Sequence, residues 1–296
     1  TAEEKERTAI NGQIVRLLDL LPRAQYVGYT ATPFANVFID PDDPMDLFPR
    51  DFVVSMERPP DYMGAEDFHD FDGDSDSGNM AAHVRSVYGD DTDDSNLRRA
   101  IDSYIVGGAV RLFREAQGGP AARHHTMLVH SSVKKVSHRE LAATVQDLLE
   151  RSGFDHGDGL RRLETLWRED FEPVCGARAG GWPTPANFDE LRPYIGLCLQ
   201  RVEEGRSVLV VNGDSADNPN FERDSVWKII VGGAKLSRGY TIEGLTVSYF
   251  RRTPNAVDTL MQAGRWFGFR RGYRDLVRLF IGRSERVGRD TIDLYA

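Results

Sequence analysis

The 296 residues hold five lysines against 32 arginines, and only two cysteines, Cys175 and Cys198. Two cysteines in no metal-ligand spacing exclude a disulfide framework and a paired-cysteine zinc site, and they fit a reducing cytoplasm. No apolar run reaches the roughly 20 residues of a membrane span. No basic-then-apolar segment opens the chain, so a cytoplasmic protein with no membrane partner is expected. The scarcity of lysine excludes less, because a compositional bias of the genome explains it as well as a function would. Several chemical motifs are missing too. Without any Gly-Lys-Ser or Gly-Lys-Thr, the phosphate loop G-x-x-x-x-G-K-[ST] is absent. No G-x-S-x-G elbow supports a serine hydrolase, and no carboxylate cluster with a lysine supports a metal-dependent nuclease. His124, His125 and His130 flank an apolar strand without metal spacing and read as structural or solvated.

What is present describes a water-soluble α/β protein. Hydrophobic residues make up 40% and charged residues 28% of the chain, enough for one large or two ordinary domains. The net charge of −9 is unevenly spread: residues 40–94 carry 17 acidic against 3 basic residues, and residues 223–290 carry 14 basic against 6 acidic. Such a basic region can meet phosphate, or it can pair with the acidic segment of the same chain. An amphipathic helix opens the sequence, Ala24–Tyr29 reads as a short strand, and Pro33 ends it. A proline-rich crossing follows, then an acidic segment at 61–96 expected to be an exposed, mobile loop. Its alternating aspartates suggest calcium, but counting from Asp72 the loop has neither the Gly at position six nor the Glu at position twelve.

From Leu97 the periodicity turns helical, and "HHTMLVHSS" reads as a buried strand. Ser137 to Gly153 form a helix with a capping box at Ser137 and Glu140. Helical segments fill 154–205. "SVLVVNGD", "WKIIVGG", "LTVSYFRR" and "LVRLFIG" are strands, with a helix over "VDTLMQAGRWFG". Apolar strands alternating with helices predict a mainly parallel sheet with helices on its faces. In such sheets ligands bind at the carboxyl ends of the strands. The suggestive loops fall there: "TATP", "HSS", "NGD" and "GGAKLSRG". Glycines followed by Lys-Leu-Ser after an apolar strand look like the start of a phosphate loop, but Ala234 and Leu236 stand where that loop needs Gly and Ser. Arginines remain, at Arg238, Arg265, Arg270 and Arg271, and planar guanidinium groups suit a phosphoryl-transfer transition state completed by another domain.

These residues carry a resemblance. Thr30-Ala31-Thr32-Pro33, His130-Ser131-Ser132, "GGAKLSRGYTIEGL" and Gln262 with Gly264-Arg265 resemble, in order, motifs III to VI of superfamily-two helicases. The wording is most similar to the Z-one domain family, bacterial proteins that carry an endonuclease label and include members tied to restriction or phage defence. The resemblance implies two RecA-like lobes with ATP and magnesium between them. Residues 1–60 would be the end of lobe one, and 97–296 lobe two with a helical insertion at about 154–205. The missing N-terminal ATPase lobe would bring the phosphate loop and the metal. Thr30 and Thr32 would couple hydrolysis to lobe movement, and Ser131 and Ser132 would contact nucleic-acid backbone. Ser237, Arg238, Gly239 and Thr241 would lie between nucleotide and DNA. Gln262 and Arg265 would face the γ-phosphate. The second motif VI arginine is replaced by Gly268, with Arg270 as its substitute. The endonuclease label finds no support in these residues. Two other readings stay open: a non-hydrolysing DNA-binding module of an endonuclease or defence complex, and a scaffold whose acidic loop engages a basic partner.

Overall fold

The computed structural model describes residues 12–21, 23–30, 51–71, 78–88, 93–131, 138–211, 219–232, 242–251, 267–282, 285–287 and 290–292; residue 131 and the last two segments are described by their backbone alone. The chain divides into two units, Thr1–Arg58 and Pro59–Ala296.

In the first unit residues 12–20 form a helix (α1), and none of the unit's described residues is buried. Ala24–Tyr29 is not the strand its composition suggests but an exposed stretch without regular structure. An extended segment becomes a strand only when a neighbour takes its N–H and C=O groups, and the described residues of this unit supply no such neighbour. Its apolar side chains face outward: Leu20 is 77%, Tyr29 94%, Val54 70% and Met56 86% exposed.

The second unit is an α/β layer structure. Its strands are β1 (Tyr62–Met63), β2 (Val84–Val87), β3 (His125–Ser131), β4 (Val208–Val211), β5 (Trp227–Gly232), β6 (Leu245–Arg251), β7 (Gly268–Phe269), β8 (Arg278–Gly282), β9 (Glu285–Val287) and β10 (Asp290–Ile292). Its helices are α2 (Asn79–His83), α3 (Ser95–Ala116), α4 (His138–Glu150), α5 (Gly157–Leu166), α6 (Glu172–Arg178) and α7 (Phe188–Glu203), with one π turn at Trp167–Phe171 between α5 and α6. Six strands form one sheet in the order β2-β8-β6-β3-β5-β4, every pairing parallel. All five strands expected from residues 97–296 are in it, and the helical content expected at 154–205 is present.

An all-parallel sheet needs both faces covered, which is why β3, β5 and β6 are nearly continuous apolar runs. Met127, Val129, Ile229, Val231 and Val247 join the main core with the helices, whereas Leu128, Ile230 and Leu245 form a second cluster with Val211 and Ile242. Helix α3 is buried around its circumference, as expected of a helix inside a core rather than on a surface. Gly108 is what lets it approach: a Cβ there would meet Cys198 Sγ at 2.6 Å and His125 Nε2 at 2.8 Å. Gly108→Ala is therefore expected to cost about 1–3 kcal/mol by overpacking, seen as a lower urea midpoint at unchanged slope.

The segment 61–96 differs from the loop expected of it. Residues 72–77 and 89–92 lie outside the described residues, but the rest contains β1, α2 and β2. Met63, Phe68, Val84 and Val87 belong to the main core. The acidic composition hides this because its few apolar residues are spaced too widely to make a periodic pattern. Strand β2 also carries Arg85 and Ser86 inside, so it does not read as a strand, yet it pairs with β8 from Val84↔Leu279 to Val87↔Gly282. The predicted helix over 257–268 falls outside the described residues up to residue 266, and its last residue, Gly268, opens β7.

Candidate functional site

Parallel pairing puts the carboxyl ends of the six strands along one edge. Ser131 of β3 lies beside Arg251 of β6, Gly232 of β5 beside Val211 of β4, and Gly282 of β8 beside Val87 of β2. The sequence segments with phosphate- and backbone-binding residue types follow those ends: Ser132 after β3, "NGD" after β4, Ser237, Arg238, Gly239 and Thr241 after β5, and Gln262 and Arg265 between β6 and β7. These residues, and Thr32, lie outside the described residues. Ser131 is placed as the last residue of β3, and Thr30 is exposed in the first unit.

Arg270 is described in full. It is buried at 5% exposure, and its guanidinium donates to the carbonyls of Phe269 (2.9 Å) and Phe267 (3.4 Å). Its backbone N–H donates to Asp61 O at 3.0 Å, where β1 meets β7. The group therefore holds the turn that follows the 252–266 segment. Gly268 beside it has φ +141°, which favours glycine, and a Cβ there would lie 2.9 Å from Arg270 Nη1.

The basic excess of residues 223–290 is partly internal. Arg274 pairs with Asp67, inside the acidic segment, and Arg278 pairs with Asp170 at 2.8 Å. Asp170, in the π turn, also accepts from Arg85 Nε at 2.7 Å and lies 3.7 Å from Arg99. Burial alone would raise the Asp170 pKa, but Arg278 and Arg85 override it and hold the carboxyl well below the usual range. Arg278 is fully buried and also lies 4.2 Å above the Phe171 ring. A second buried pair joins Arg114 to both oxygens of Asp275, at 2.8 and 2.6 Å. The sequence offers pairing between the basic and acidic segments only in general, and not these partners, which lie up to 207 residues apart.

His125, one of the three histidines in or beside β3, packs in the core. His125 is fully buried, stacks on Tyr104 at 4.4 Å and donates Nε2–H to the Tyr104 carbonyl at 2.8 Å. Burial, then Arg111, pushes its pKa well below the ordinary value. His83 is lowered to about 3, by burial first and then by Arg278. A folded-state pKa below the unfolded one means that the unfolded chain binds the proton first. Stability contributed by these histidines is present above pH 6.5 and is lost as pH falls below it, for His83 down towards 3. Urea unfolding between pH 7 and 4.5 should show the midpoint falling as pH falls.

Among the described residues no group of His, Cys, Asp or Glu is arranged to hold a metal ion, and no helix is long and apolar enough to cross a membrane. No curated protein and no solved structure matches the chain. One family model does, the Z1 domain, over residues 96–290, which is more than half of the sequence and contains β3 to β8 with every segment that follows their carboxyl ends. The chain belongs to the Z1 domain family.

Proposed function

We propose that this chain is the arginine-finger half of a superfamily-two helicase-like, nucleic-acid-dependent ATPase, with the Z1 domain as a RecA-like second lobe. The observation that carries the reading is topological. The segments bearing Ser132, Ser237 to Thr241, and Gln262 with Arg265 follow β3, β5 and β6, which end along the same sheet edge. That edge is where open α/β sheets bind ligands. In this reading Gln262 and Arg265 face the γ-phosphate, Arg238, Gly239 and Thr241 lie between nucleotide and DNA, and Ser131, Ser132 and Ser237 contact the DNA backbone. Residues 1–60 form the end of the first lobe, with Thr30 and Thr32 coupling the two. The exposed apolar residues of that segment, among them Leu20, Tyr29, Val54 and Met56, support the idea, since large apolar side chains left outside in such number suit packing on another body. ATP supplies the phosphoryl group. Magnesium and the β-phosphate are held by the other ATPase domain, because the chain has no Gly-Lys-Ser or Gly-Lys-Thr and its described residues offer no metal-holding group. The setting is bacterial restriction or phage defence in the cytoplasm, with a nuclease partner.

The missing phosphate loop also favours a second reading, a DNA-binding module that keeps the lobe for docking and hydrolyses nothing. ATP hydrolysis by the complete gene product, with and without single-stranded DNA, separates the two. DNA-stimulated turnover supports the ATPase; DNA binding with no turnover leaves only the module.

A further inference from the structure

The second unit also has a cleft of about 310 Å³ at the amino edge of its sheet, away from the strand ends discussed above. His83 there ends α2 just before β2, and Arg274 lies just before β8. The volume is at the lower end of small-molecule pockets, about 300–1,000 Å³. Several polar groups in the wall are already matched. Asp67 pairs with Arg274. Asn79 donates to the Glu66 carbonyl at 2.7 Å and accepts from Arg178.

Three groups in the wall remain open. The Asp61 carboxylate makes no ion pair or hydrogen bond with any described residue. Asp61 is also the one non-glycine among the described residues with positive φ, +64°, a conformation that concentrates at functional positions. His83 is 4% exposed and donates Nδ1–H to the Val277 carbonyl at 3.1 Å, which leaves Nε2 as an acceptor without a partner among the described residues. Trp182 supplies an aromatic surface.

These groups define the charge of the occupant. An anion meets the Asp61 carboxylate and the His83 lone pair, both repulsive, while the two arginines of the wall are engaged, Arg274 by Asp67 and Arg178 by Asn79. A cation meets the same surroundings that deny His83 a proton: burial first, then Arg278, Arg178 and Arg85. A neutral molecule with N–H donors and a planar body is what fits, since Asp61 and His83 offer open acceptors beside an aromatic face that takes stacking. We propose that this cleft binds a nucleobase, and guanine in particular, whose N1–H and N2–H groups are adjacent donors that one carboxylate accepts together. Asp61 takes those two donors, His83 Nε2 accepts a further N–H or hydroxyl proton, and Trp182 stacks. The inference stands apart from the ATP reading, because guanosine and 1-methylguanosine carry no phosphate and Asp61 lies outside the proposed ATP and DNA residues.

The test is calorimetric titration of the chain with guanosine, with 1-methylguanosine, and with a guanine-containing single strand, repeated on Asp61→Asn. Asn tolerates positive φ and the site is exposed, so the variant should keep the parent's melting temperature. Saturable guanosine binding weakened at least tenfold by Asp61→Asn and by N1-methylation supports the proposal with the free base as ligand. Binding of the strand alone, lost in Asp61→Asn, supports it with a base in a strand as ligand. No binding of either, or binding that Asp61→Asn and N1-methylation leave unchanged, overturns it.

Discussion

Arg265→Ala is expected to abolish DNA-stimulated ATP hydrolysis by the complete gene product, with a fall of about 10³–10⁵-fold in turnover. Charge spreads over the γ-phosphate oxygens in the transition state, and a guanidinium supplied from a facing domain stabilises it there more than in the ground state. The loss should therefore appear in kcat with little change in nucleotide affinity. Arg265→Lys should recover little, because a point charge lacks the planar fork. Arg270→Ala separates the two arginines of this segment. Arg270 is buried against the carbonyls of Phe267 and Phe269, so its loss should lower the melting temperature as well as turnover. If Arg265→Ala turns over like the parent, the assignment of Gln262 and Arg265 to the γ-phosphate is wrong.

The second large effect concerns stability. Asp170→Ala should destabilise the fold by about 3–5 kcal/mol, the usual cost of removing one partner from a buried ion pair. Against a total stability of about 5–15 kcal/mol that loss is severe. The reason is specific: Arg85 and Arg278 are 12% and 0% exposed in their side chains, and without Asp170 two guanidinium groups stay in the core with no counter-charge. The effect should shrink when the cations are removed as well, so Asp170→Leu combined with Arg278→Met should be more stable than Asp170→Leu alone. A loss below about 1 kcal/mol for Asp170→Ala would mean that water reaches the site.

The long apolar strands were legible because a strand buried on both faces carries its signal in its own residues. Met127–Val129 and Ile229–Val231 need no neighbour to be recognised. The helix at 95–116 was legible for the same reason. Strand β2 was not, because Arg85 is there for Asp170, and Asp170 is 85 residues away. Ala24–Tyr29 failed in the opposite direction: its residues suit a strand, but a strand also requires a partner. Why residue 268 is glycine was not legible, since the positive φ there and the Arg270 guanidinium beside it belong to three dimensions. The cleft at Asp61 was invisible in sequence, since it collects Asp61, His83, Trp182 and Arg274 from separate elements. For the candidate site, the sequence segments and their order carried the reading, and the parallel register added the common edge.

The pairing of β2 with β8 has a consequence for biosynthesis. Val84 is laid down beside Leu279, so one edge of the sheet waits for nearly two hundred further residues to be synthesised. At about 5–20 residues per second that delay is roughly 10–40 s. From the synthesis of Asp170 onward, Arg85 and Asp170 are both present while Arg278 is not, and throughout the delay the core residues Val84 and Val87 lack the β8 strand they pair with. A ribosome stalled before residue 278 would thus hold a chain with an apolar strand unsheltered, a substrate for chaperones and proteases. Completion of the sheet is set by the arrival of its C-terminal strand rather than by the folding of the segments before it.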